Sequence, residues 1–85
     1  MVFLAAAGNV VIPAILTLRQ LVYTVETGGK SDNQAFIAKK NGYSFYADDP
    51  ITILGLIKIF ETRGEEWMAS DDEIETVGRE YHLFE

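Results

Sequence analysis

Cysteine is absent from this chain of 85 residues, and histidine occurs only once. Without thiols there is no disulfide framework, no thiolate nucleophile and no cysteine-bearing zinc site, and the single histidine, His82, excludes a histidine-rich metal centre. Basic residues are scarce, 7 against 13 acids, which leaves a formal net charge of −6. Such a surface repels phosphate, so neither DNA nor RNA is an expected partner. The cysteine-free composition is read as that of a cytoplasmic protein. No cofactor motif is present, and the residues at this level define a small soluble α+β domain without stating what it does.

What the chain does hold is apolar material and an uneven distribution of charge. Hydrophobic residues make up 48% of it and aromatic residues 12%, enough for one efficient core in a single domain over residues 1–85. Residues 1–45 set Arg19, Lys30, Lys39 and Lys40 against Glu26 and Asp32, whereas residues 46–85 set only Lys58, Arg63 and Arg79 against eleven acids. The acidic half is a solvated surface or a face for a basic partner. Residues 1–18 carry no charge, yet the segment is not read as a signal peptide or membrane span. It has no basic start, its small residues Ala5-Ala6-Ala7 precede the apolar run, and Gly8, Asn9 and Pro13 interrupt it.

Turn and cap chemistry divides the chain. Asn41-Gly42 supplies the two positive-φ positions of a type I′ turn, pairing Ala35–Lys40 with Tyr43–Asp48 so that Lys40 faces Tyr43, Ala38 faces Phe45 and Phe36 faces Ala47. Phe36, Ala38, Tyr43, Phe45 and Ala47 then form the core side, and Ile37, Lys39, Ser44 and Tyr46 the half-covered side. Before the hairpin, Val2–Ala6 reads as a short buried strand. Ala7-Gly8-Asn9 is a turn, with Asn9 or the region of Pro13 starting a helix that reaches about Gln20 on a stripe of Val11, Ile15, Leu18 and Val22. Leu21–Thr27 reads as a strand, which makes a right-handed parallel βαβ unit with the first. After the hairpin, Asp49 caps a helix with Pro50 at its first position and Gly64 beyond its end. Its apolar residues cover most of the circumference, so it is expected to be mostly buried, and Gly55 in its middle predicts close approach of another backbone. Ser70 and Glu73 form a capping box for a surface helix with Ile74, Val77 and Tyr81 on its apolar stripe. The expected fold is α+β in the order β-α-β-β-β-α-α, with a mixed four-stranded sheet packed by helices.

Several of these segments together resemble a family of small bacterial α+β proteins of uncharacterised function: Ala7-Gly8-Asn9 with Pro13-Ala14, Ala47-Asp48-Asp49-Pro50 running to Leu54-Gly55-Leu56, Arg63-Gly64-Glu65-Glu66-Trp67, and Ser70-Asp71-Asp72-Glu73-Ile74. The resemblance implies a bacterial source and the element order given above, and it carries over no activity and no site residues.

Each candidate site has a plainer explanation beside it. Gly29-Lys30-Ser31 suggests a phosphate loop, but that motif needs a glycine where Thr24 stands and a helix where a hairpin strand follows. Asp48-Asp49 and Asp71-Asp72-Glu73 sit at helix starts, where caps and the helix dipole account for the acids, so neither catalytic nor metal residues are assigned. The backbone amides at Gly8 and Asn9, behind a strand and ahead of a helix, are the candidate binding site for a small ligand or anion. Trp67, in the short link between the last two helices, either plugs the gap between them or presents an aromatic anchor to a partner, and Tyr46 on the second hairpin face is a milder candidate of the same kind. The leading reading is a non-enzymatic protein that works through protein contacts, as a homodimer or adaptor, and the alternative is a small-ligand module at Ala7-Gly8-Asn9.

Overall fold

The computed structural model describes residues 2, 4, 10–28 and 35–84. They form helix α1 (Val11–Gln20), strands β1 (Thr24–Gly28), β2 (Ala35–Lys40) and β3 (Tyr43–Ala47), helix α2 (Pro50–Arg63), a 3-10 turn at Gly64–Glu66, and helix α3 (Asp71–Glu80). Among the described residues the sheet has three strands in the order β1-β2-β3, and both pairings are antiparallel. The fold is α+β, but the four-stranded mixed sheet is not what these residues show. The expected strand Val2–Ala6, and with it the parallel βαβ unit, lies outside the described residues except for Val2 and Leu4, which are both exposed.

The hairpin follows from its turn. Asn41 (φ 51°) and Gly42 (φ 84°) both adopt positive φ, and the register is Lys40 with Tyr43, Ala38 with Phe45 and Phe36 with Ala47. The core side faces the helices: Leu18 of α1, Ala38 and Ala47 of the sheet, and Ile53 and Ile57 of α2 are buried together. Tyr23, Val25, Phe36, Phe45, Leu54 and Leu56 pack around them.

The start of α1 carries no side-chain cap; Val10 stands at that position instead of Asn9. Pro13 falls in the first turn, where an N–H has no intrahelical partner to lose. The end of α1 is a Schellman motif, in which the Val22 N–H donates to Arg19 O at 2.9 Å and the Tyr23 N–H donates to Leu18 O at 3.0 Å. That motif takes up Leu21 and Val22, so β1 begins three residues later than the expected Leu21 and runs on into Gly28. Val22 sits at φ 68°, a left-handed conformation that a β-branched residue seldom adopts.

Asp49 caps α2 as its sequence predicts, with its carboxylate accepting from the Thr52 N–H and the Thr52 hydroxyl at 2.8 Å each. Those two bonds hold the Asp49 carboxyl below the usual range. Two expectations for α2 fail. Only Pro50, Ile53 and Ile57 are buried, while Ile51 and Ile59 are exposed, because the three-stranded sheet and α1 cover one side of the helix and not its circumference. Gly55 is exposed and a Cβ there would meet nothing within 4 Å, so among the described residues no backbone approaches it.

Candidate protein-contact site

The link from α2 to α3 is organised by Arg63. Gly64, at φ 77°, ends α2, and the chain turns through Gly64–Glu66 to Trp67. Arg63 Nε donates to Trp67 O at 2.9 Å, while Arg63 Nη2 pairs with Glu73 Oε1 at 3.1 Å. Glu73 also accepts from the Ser70 N–H at 2.9 Å and donates its own N–H to Ser70 Oγ at 3.1 Å, which completes the capping box of α3. The Ser70 amide, followed by the Arg63 charge, holds the Glu73 carboxyl below its ordinary value. One guanidinium therefore joins the end of α2, the Trp67 backbone and the first turn of α3.

This arrangement turns Trp67 toward α2 and β3. Its side chain is 43% exposed and borders a hollow of about 390 Å³ with Tyr43, Phe45, Tyr46, Leu56 and Phe60. Tyr46, 64% exposed, stands on the same rim, so the two aromatic residues singled out in the sequence meet at one place. The floor is a stack of rings: Phe60 lies 5.1 Å from Tyr43 and 5.9 Å from Phe45, the latter edge-on, and Phe45 in turn meets Tyr23 edge-on at 6.1 Å. Edge-to-face packing of this kind fixes ring orientation, so the floor is preformed. The Tyr23 hydroxyl is pushed above its ordinary range by burial and by the nearby Glu61 charge.

The edge of β3 runs along this hollow. A two-residue turn makes Lys40–Tyr43 a bonded pair, so Tyr43, Phe45 and Ala47 direct their amides and carbonyls to β2, and Ser44 and Tyr46 direct theirs outward. Lys40 is already engaged, its Nζ donating to Leu21 O at 2.8 Å and lying 5.1 Å from the Tyr23 ring centre. A wider depression of about 650 Å³ at the hairpin turn, between Val22, Thr24 and residues 39–44, is open and touches neither Trp67 nor Tyr46.

Gly8 and Asn9, the candidate small-ligand site, lie outside the described residues. Of the acidic clusters, Asp49 caps α2 and Glu73 completes the capping box of α3, and among the described residues no group of three or more metal-ligating side chains is placed to hold an ion. Also among the described residues, no helix is long and apolar enough to cross a membrane. Sequence reasoning missed Leu56, Phe60 and Tyr43 as walls of the hollow. The signal was the hairpin's direct run into α2, which among the described residues leaves β3 at the edge of the sheet and folds the helix back beside it. No family model, curated protein or solved structure matches the chain.

Proposed function

We propose that this protein works by binding an extended segment of a partner protein along the β3 edge, with Trp67 and Tyr46 as aromatic anchors. The observation that supports this reading is the apolar hollow between the two anchors, lying beside a strand whose Ser44 and Tyr46 backbone groups point outward. A peptide added as a strand gains main-chain hydrogen bonds from the edge and specificity from the side chain it drops into the hollow. Aromatic anchors around a preformed pocket are the usual source of binding energy at such surfaces. The hollow offers rings, one serine hydroxyl and two phenols, which suit recognition rather than nucleophilic or acid-base chemistry.

Selection of peptides from a display library against the wild-type protein, with counter-selection on Trp67→Ala/Tyr46→Ala, tests the proposal. Trp67 is the only tryptophan, so its emission should shift to the blue as a selected peptide is titrated in. Peptides that bind the double variant equally well, or that leave the emission unmoved, refute it.

A further inference from the structure

We infer that a second copy of this chain covers α3, whose apolar stripe docks on the outer side of the other copy's α1 in a reciprocal, two-fold exchange. The inference concerns a second surface that shares no residue with the Trp67 hollow. Ile74, Val77 and Tyr81 follow one stripe of α3, and Leu83 and Phe84 fold back beside it. The Phe84 ring occupies the place where a Cβ on Gly78 would stand, so the glycine allows the chain end to close against the helix. Ile74 and Val77 are nevertheless 47% exposed, and no side chain of α3 enters the core cluster. A helix of 10 residues does not persist in water on caps and ion pairs alone, and its apolar face needs a cover.

The complement is present on α1. Ala14 and Leu18 are buried, while Ile12 and Leu16, on the opposite side of the same helix, are both more than half exposed. α1 thus presents a second apolar face opposite the one it turns to the core. Charge selects between the available pairings. α3 carries Asp71, Asp72, Glu73, Glu75 and Glu80 against Arg79, so placing α3 on α3 brings like charges together. The only charge on α1 is Arg19, so an α3–α1 contact is apolar at its centre and attractive at its rim. Both helices have 10 residues and match in length. Reciprocal exchange uses the contact twice and closes, so it yields a dimer and no larger array.

The test uses the full chain. Sedimentation over a dilution series should show a dimer for the wild type and monomers for both Leu16→Glu and Ile74→Glu. An equimolar mixture of the two variants should recover a dimer, because one α3–α1 contact then remains intact. Circular dichroism checks that each variant is folded. Since the protein has no cysteine, a second measurement avoids destabilising charges altogether: Leu16→Cys and Ile74→Cys chains are mixed and oxidised. A 16–74 disulfide between chains supports the exchange. A 74–74 disulfide as the main product, no interchain disulfide, or a wild type monomeric throughout overturns it. None of these results bears on peptide binding at the hollow, so the two readings fail separately.

Discussion

Replacing Val22 by glycine should make the protein more stable. Val22 closes the Schellman motif at φ 68°, and a residue with a Cβ holds that conformation at a penalty of about 1–2 kcal/mol, toward the upper end for a branched side chain. Glycine removes the penalty. Little burial is lost in return, because Val22 is 74% exposed and forgoes only about a quarter of the ~1.5–3 kcal/mol that a fully buried valine contributes. The looser unfolded chain of a glycine takes back about 0.5–1 kcal/mol. The net effect is a stabilisation of about 0.5–1 kcal/mol, or a rise in melting temperature of roughly 2–8 °C for a domain of this size. Thermal denaturation followed by circular dichroism measures it, with Val22→Ala as control. Alanine keeps a Cβ in the left-handed region at the lower end of that penalty and avoids the looser unfolded chain of glycine, so it should fall about 0–0.5 kcal/mol below glycine. A glycine variant less stable than the wild type would show that Val22 stores too little strain to matter, and the account of the α1–β1 junction would fail with it.

Gly55→Ala should stabilise α2 by about 1 kcal/mol, since the site is mid-helix, exposed and open to a Cβ; a lowered melting temperature would point to an unseen neighbour. Ser70→Ala removes the oxygen that accepts the Glu73 N–H and should loosen α3 by about 1 kcal/mol without reaching the core. Amide exchange should then accelerate over residues 71–80 and stay unchanged in β2, whereas equal acceleration in both would mean that α3 melts with the sheet. Asp49 and Glu73 have carboxyl pKa values depressed in the folded state, so the stability they contribute is complete above the ordinary carboxylate range and is lost as the pH falls through their folded values. Urea midpoints should therefore fall between neutral pH and about pH 3, and Asp49→Asn should flatten the slope. A slope identical to that of the wild type would remove Asp49 from this account.

What could be read in advance was set by local hydrogen-bond chemistry. Asn41-Gly42, Asp49-Pro50 and the Ser70–Glu73 box each satisfy or orient backbone groups within a few residues, and all three fold as their spacing predicts. The α1–β1 junction was hidden because a valine occupies a position at which glycine is the usual marker, and its apolar neighbours made helix and strand patterns overlap. The burial of α2 was overestimated because an apolar circumference predicts cover on every side, and cover is a property of the other elements. Trp67 was legible as an exposed or plugging aromatic, but its side of the link depends on Arg63 reaching both Trp67 O and Glu73, which no spacing rule specifies.

The joint at Arg63 also has a mechanical meaning. A helix of 10 residues is a rod about 15 Å long. Pivoting it by about 10° at its first turn carries its far end through about 2.6 Å, close to half a helical pitch. The angle of that rod rests on an ion pair whose groups are nearly half exposed, so added salt softens the pivot, and acid releases it once Glu73 is protonated. The contact that sets the angle of α3 is thus the one most open to salt and acid, whereas the packing of the sheet against the other two helices is apolar and insensitive to both.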